Sequence, residues 1–248
     1  MRYENVIPAR FQSRPNRFIA RVETAEGVMT VHVKNTGRCR ELLLPGAEVY
    51  IARSENPARR TAGDLIAVRK GDRLINMDSQ APNRVAGEAF AAELRLPGME
   101  GAARLIRPEV TWGASRLDFY LQWPGERGRG LPSPGGMTLP DDMAQGFVEV
   151  KGVTLEQDGA VYFPDAPTER GIKHLRELSE LARAGYPTWI LFVVQMTGAD
   201  YFAPNDLTHP AFGEALRQAA EAGVGIAAYD CLVESNTLAL NRPVKVRL

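Results

Sequence analysis

Short apolar runs separated by glycine-containing turns fill the first 80 residues. Residues 18–22 and 28–33 flank a Glu26-Gly27 turn, and residues 47–51 follow Pro45-Gly46. Residues 65–68 and 74–77 flank Gly71-Asp72. Five short strands in this arrangement predict a small closed β-barrel, and an OB-like barrel is the natural candidate. Near Ala81-Pro82-Asn83 the period changes. Val85, Ala86, Ala89, Phe90 and Leu94 recur at helical spacing until Leu96-Pro97-Gly98 stops the helix. A domain boundary is therefore expected close to residue 83, giving units 1–83 and 84–248.

Residues 115–123 and 147–155 read as strands. Between them, positions 124–140 hold five Gly and four Pro in 17 residues, which predicts a long mobile loop. Thr168 is a plausible N-cap for a helix whose apolar stripe is Ile172, Leu175, Leu178 and Leu181, ending at Ala184-Gly185. Residues 188–194 are continuously apolar, as in a strand covered on both faces. Pro210 opens a helix closed by Gly223, and residues 224–232 form a further strand. The alternation predicts an α/β (α+β) second domain, a mixed sheet flanked by helices.

Composition adds bounds. The 248 residues are 44% apolar and 24% charged, ordinary for a soluble globular protein. No stretch approaches the ~18 apolar residues of a membrane span, and Met1-Arg2-Tyr3-Glu4-Asn5 lacks an apolar signal region. A cytoplasmic protein without a membrane partner is expected. Cys39 and Cys231 are too few for a disulfide framework or a structural zinc site, so two free thiols are expected. Net charge is zero but unevenly spread. Residues 1–84 carry 15 Lys and Arg against 9 Asp and Glu, a balance of +6, and residues 85–248 carry 15 against 21, a balance of −6. A basic first part can gather a polyanion, while an acidic second part is compatible with cation binding.

The chemistry concentrates in two tracts, Arg116-Leu117-Asp118-Phe119 and Phe147-Val148-Glu149-Val150-Lys151. Side chains alternate along a strand, so Glu149 and Lys151 share one face and Val148 and Val150 the other. A charged pair in an apolar strand is costly to bury unless something binds it. Phosphodiester hydrolysis needs an activated water and relief of charge on phosphorus, which Mg²⁺ or Mn²⁺ supplies from two or three hard oxygen ligands. Asp118 and Glu149 are the expected ligands, with the Val150 carbonyl and Glu88 as auxiliaries. Lys151 is placed to orient water or offset phosphate charge. The expected catalytic set is Asp118, Glu149, Lys151 and Glu88.

This arrangement resembles the PD-(D/E)xK nuclease superfamily. The whole chain also resembles the sugar fermentation stimulation protein A family. Its matching tracts are Arg17-Phe18-Ile19-Ala20, Asn35-Thr36-Gly37-Arg38, Pro45-Gly46, Asn83-Arg84, Ser115-Arg116-Leu117-Asp118-Phe119, Glu149-Val150-Lys151-Gly152-Val153-Thr154-Leu155 and the segment 163–171 followed by Lys173-His174-Leu175. The resemblance implies an N-terminal OB fold, a C-terminal restriction-endonuclease-like domain, non-specific DNA binding and a role in regulating sugar (maltose) use.

Nucleic-acid contacts are expected from Arg17, Asn35, Arg38, Arg40, Arg84, Arg116, Arg170 and Lys173. Asn35 to Arg40 form a Gly loop with two Arg, able to meet phosphate through N–H and guanidinium groups. Arg10, Arg14 and Arg17, interrupted by Phe11, could pair phosphate contacts with base stacking, and a flexible basic terminus with Phe11 packed into the barrel is the favoured expectation there. Arg170, Lys173 and His174 open a helix, where cations oppose the helix dipole and a bound phosphate would relieve them. Three functions follow: a metal-dependent nuclease on DNA (RNA not excluded), a DNA-binding regulator without turnover, and a small-ligand or carbohydrate-binding barrel.

Overall fold

The structure, a computed structural model, describes all residues except 36, 38, 114 and 127–130. Arg38 of the expected phosphate loop therefore lies outside the described residues. The first six strands are β1 (Val6–Asn16), β2 (Ile19–Thr24), β3 (Gly27–Val33), β4 (Glu48–Arg53), β5 (Gly63–Lys70) and β6 (Arg73–Asn76). They run in the order β3-β2-β1-β4-β5-β6, and a parallel β3–β5 pairing closes the first five into a barrel. Inward positions alternate along the strands, with Val22, Val31, Val49, Ile51 and Val68 fully buried.

The expected flexible basic terminus is corrected here. It is β1, an 11-residue strand paired with both β2 and β4. Phe11 fills the barrel core. Arg14 turns its guanidinium onto the carbonyls of Arg17, Asn35 and Gly37 at 2.7, 2.8 and 3.0 Å. The strand hides in the sequence because its outward positions carry Arg, Gln, Ser and Pro, which blur a two-residue period.

Helix α1 (Ala81–Ala91) follows, with Pro in its first turn. Next come β7 (Leu105–Trp112), β8 (Ser115–Pro124), a short 3₁₀ turn and β9 (Met143–Val153). Part of the expected mobile loop is fastened down. Gln145 Nε2 donates to the Leu131 carbonyl (3.1 Å), Ser133 Oγ donates to Gln145 Oε1 (2.8 Å), and Tyr186 Oη donates to the Pro132 carbonyl (2.8 Å). The remaining elements are β10 (Leu155–Gln157), β11 (Ala160–Phe163), α2 (Glu169–Arg183), β12 (Thr188–Val194), β13 (Tyr201–Pro204), α3 (Pro210–Glu221), β14 (Gly225–Val233), β15 (Leu238–Pro243) and β16 (Lys245–Val246).

The main sheet has the order β15-β14-β12-β9-β8-β7, parallel at its centre and antiparallel toward both edges. Every residue of β12 is buried, as its continuous apolar run requires. α1 covers one face, packing Val85, Ala86 and Phe90 against Phe119, Val148, Val150 and Val193. α2 and α3 cover the other, where Leu175, Leu178, Phe212 and Leu216 meet Phe147, Ile190 and Phe192. A second sheet, β10-β11-β13-β16, lies beside the barrel. Lys70 and Arg73 of the barrel reach Glu156 at 2.7 and 3.1 Å, and Gln195 Nε2 donates to Asn76 Oδ1 at 2.8 Å. Among the described residues no helix is long and apolar enough to cross a membrane.

Candidate metal-dependent phosphodiesterase site

Three expected residues meet on one end of the main sheet. In β9, Gln145, Phe147, Glu149 and Lys151 alternate onto the face covered by α2. The register pairs Phe119 with Val148 and Tyr120 with Phe147, so Asp118 is the next residue opposite Glu149. There the ladder gives way to the side chain: the Val150 N–H donates to Asp118 Oδ2 at 2.8 Å. Asn83, in the first turn of α1, donates to Asp118 Oδ1 at 2.7 Å.

Glu149 is 2% exposed. Lys151 Nζ donates to its Oε1 at 2.5 Å, and His174 Nδ1 reaches the same oxygen. His174 Nε2 accepts from Arg170 Nε at 3.3 Å. That arrangement suits the neutral tautomer with its proton on Nδ1, donating to Glu149. Lys151 Nζ, 3.2 Å from the same nitrogen, then makes a close approach to it rather than a second hydrogen bond. Glu149 Oε2 is buried and has no hydrogen-bond partner.

The two carboxylates are driven in opposite directions. Burial pushes the Asp118 carboxyl up and the negative charge of Glu149 adds to it; the Val150 N–H, Lys151 and Asn83 only partly offset this. Burial also pushes Glu149 up, but the hydrogen bond from His174 and the charge of Lys151 win and hold it below the usual range. Asp118 thus feels the charge of Glu149 across the pocket.

Glu88 is not brought to this cluster. Its carboxylate is half exposed and pairs with the Met1 ammonium at 2.5 Å and with Arg84 at 3.2 Å. No hydrogen bond or ion pair links it to Asp118, Glu149 or Lys151. Among the described residues no group of three or more His, Cys, Asp or Glu is arranged as a metal cage. The donors that remain are Asp118, Glu149 and the Val150 carbonyl. They fit a hard cation that keeps several of its own waters, and the unpartnered Glu149 Oε2 is where such a charge would be welcome.

The expected nucleic-acid residues are scattered over both domains. Arg17 is exposed with its guanidinium 4.7 Å from the Phe18 ring centroid. Asn35 Oδ1 accepts from the Gly37 N–H at 2.8 Å, and Arg40 is exposed. Arg84 pairs with Glu88, Arg116 with Glu109 and Lys173 with Glu177, all with the basic side chain largely exposed. Arg170 is committed to His174.

Two contributors were not tied to the carboxylates from the sequence, where His174 was expected to meet phosphate with Arg170 and Lys173. His174 carried a signal: it falls on the buried stripe of α2, between Gly171 and Leu178, as the one ionisable group there. Asn83 stood in the family-matching tract Asn83-Arg84 but carried no chemical signal of its own, because an amide two residues into a helix reads as surface.

Comparison with known proteins gives the family. Residues 80–237 match the model described as "Sugar fermentation stimulation protein RE domain", and residues 13–77 match "SfsA N-terminal OB domain". The sugar fermentation stimulation protein homologue of Desulfitobacterium hafniense (strain Y51) is 48% identical, covering 100% of this chain and 99% of its own. That of Ruminiclostridium cellulolyticum is 45% identical over the whole of both chains. A solved structure, that of Pyrococcus furiosus SfsA in complex with Ca²⁺, superposes with a TM-score of 0.82 at 28% identity, covering 100% of this chain and 98% of that one. The chain belongs to the sugar fermentation stimulation protein family.

Proposed function

We propose that this protein is a metal-dependent phosphodiesterase that acts on DNA, with the barrel gathering the polyanion and the pocket around Asp118 and Glu149 cutting it. The carrying observation is the buried Glu149, with one oxygen held by Lys151 and His174 and the other without a partner. A relative of the same fold is described in complex with Ca²⁺, a hard cation of the class such a pocket suits.

Asp118, Glu149 and the Val150 carbonyl would hold the ion. When bound, it supplies Lewis acidity toward a phosphoryl oxygen and lowers the pKa of a water. The chain's own groups do the rest. Asn83 and the Val150 N–H fix both oxygens of Asp118. His174 fixes the rotamer of Glu149, and Arg170 fixes the ring of His174. Lys151 keeps a cationic donor at the pocket, where it orients the attacking water and offsets charge on the phosphate.

One observation favours a second reading, DNA binding without turnover. Lys151 and His174 both hold Glu149 Oε1, so the chain's own groups can keep that carboxylate in place as structure alone. The same experiment decides between the two. Purified protein is incubated with single- and double-stranded DNA and RNA in Mg²⁺, in Mn²⁺ or in chelator. Cleavage that requires the metal and falls at least a hundredfold in Asp118→Asn, with DNA affinity within a few fold, supports hydrolysis. Metal-independent binding with no product in any arm supports the second reading.

A further inference from the structure

A cavity opens beside the Asp118–Glu149 cluster, on the face of the sheet covered by α2. It holds about 350 Å³ and is lined by Trp112, Leu117, Glu177, Glu180, Leu181 and Tyr186, with Ala184 among the residues at its wall. The buried Phe147 packs behind two of these residues: its ring centroid lies 5.3 Å from Trp112 and 5.5 Å from Tyr186. Phe147 is two residues before Glu149 on the same face of β9, a step of about 7 Å along the strand. Leu117 immediately precedes Asp118. The cavity and the Asp118–Glu149 pocket are therefore neighbours, separated by about one pleat repeat.

The wall combines aromatic surface with one polar feature. Glu177 Oε1 accepts from Ser115 Oγ and lies 3.4 Å from Lys173 Nζ. Glu177 Oε2 is buried and has no hydrogen-bond partner. A buried carboxylate oxygen without a donor is costly. The Tyr186 hydroxyl is already spent on the Pro132 carbonyl, which leaves the Glu177 and Glu180 carboxylates as acceptors in the wall.

We propose that this cavity receives one unstacked nucleobase of the bound strand, with the base against Trp112 and an exocyclic amino group donating to the Glu177 carboxylate at its wall. Flat aromatic rings suit stacking walls, and carboxylates accept from base amino groups. The two negative side chains, Glu177 and Glu180, exclude phosphate from the cavity, so the backbone stays at the Asp118–Glu149 end. Adenine, cytosine and guanine carry the amino group; thymine and uracil do not. The inference deepens the phosphodiesterase reading, since it names how that site holds the nucleotide beside the cut.

Free nucleosides test it in chelator, so that neither metal nor phosphate contributes. Trp123 and Trp189 are 2% and 3% exposed in the core, which leaves the half-buried Trp112 as the fluorescence reporter. Adenosine, cytidine and guanosine should quench saturably, with thymidine and uridine at least tenfold weaker. Glu177→Ala should abolish the preference for amino bases. Ala184→Phe fills the cavity from an exposed position and should abolish quenching while leaving the melting temperature within about 2 °C. Absence of saturable quenching, or equal quenching in Ala184→Phe, overturns the proposal. So does saturable binding of spermidine with none of any nucleoside, which would make the cavity a cation cage. The two readings fail separately: nucleosides that bind to a protein that cuts nothing support the cavity and sink hydrolysis. Metal-dependent cutting with no nucleoside binding does the reverse.

Discussion

Asp118 carries its charge in a place that resists it. Burial and the nearby Glu149 hold its carboxyl above the ordinary 3.8, so the folded chain binds that proton more tightly than the unfolded one. The linked stability is full below pH 3.8 and is lost as pH rises through the raised value. Once ionised, Asp118 therefore destabilises the fold unless a cation offsets it. Asp118→Asn removes the charge and keeps the shape; with the Asn83 amide turned over, both hydrogen bonds can re-form. In chelator at pH 7 the variant should melt higher than the native protein, and the gap should shrink as pH falls and Asp118 takes up its own proton. Added Mg²⁺ should raise only the native protein. Thermal melts across pH check all three, and a variant that melts lower at every pH contradicts the assignment. Glu149 runs the opposite way: its contribution is present above 4.5 and is lost as pH falls through its lowered value. Asp118, Glu149 and Lys151 were legible in the sequence because charged residues inside apolar strands stand out. Their partners were not, because Asn83 and His174 come from helices whose docking no local pattern specifies, and Glu88 misled because helical position alone does not tell which way a carboxylate turns.

The elements that hold the site divide by how much of them is buried. β12 reads plainly, since a strand covered on both faces is a continuous apolar run, and β9 reads from Phe147, Val148 and Val150 around its two charges. β7 and β15 lie at the edges of the sheet and carry Arg, Glu, Asn and Pro, the residues edges use to discourage further pairing, and they left no strand signal. α2 was legible from its stripe and its cap, with Thr168 Oγ1 accepting from the Gly171 N–H at 3.1 Å. What the sequence concealed is the fit of α1 against β9. A Cβ at Gly152 would sit 2.5 Å from Gln195 Oε1 and 2.7 Å from Pro82 Cγ. Glycine after Lys151 thus lets the first turn of α1 press on the strand, and that turn carries Asn83 to Asp118. Gly152→Ala should push α1 outward, cost about 1–3 kcal/mol as overpacking, and lower metal-dependent cleavage about tenfold. Binding of DNA in chelator should stay within a few fold. Unchanged cleavage in a protein that melts lower would show that this contact serves stability alone.

At the scale of the molecule, a basic barrel and an acidic α/β unit are held in fixed register by Lys70 and Arg73 on Glu156 and by the Asn76–Gln195 pair. A strand approaching the pocket meets a unit of net −6, so attraction has to come from the +6 part. On the proposed reading the exposed cations available for it are Arg17 on the barrel and Arg84, Arg116 and Lys173 on the second unit. Arg17 has its guanidinium free of carboxylates and over the exposed Phe18 ring, a pairing of charge with a stacking surface. Arg84, Arg116 and Lys173 sit in exposed ion pairs that water and salt already weaken, so a phosphate can displace their partners at little cost. If binding neutralises several phosphates, log affinity should fall linearly with log salt, by about 0.9 for each duplex phosphate contacted. Fluorescence anisotropy in chelator, from 50 to 200 mM salt, should then show a loss of about 10³-fold for six contacts. Arg17→Ala should weaken binding at low salt and reduce the slope by about one, uniformly across DNA sequences. A slope near zero would remove the barrel from DNA binding altogether. A normal slope that Arg17→Ala leaves untouched would move the contact surface to another face of the barrel, away from the end that carries Phe18.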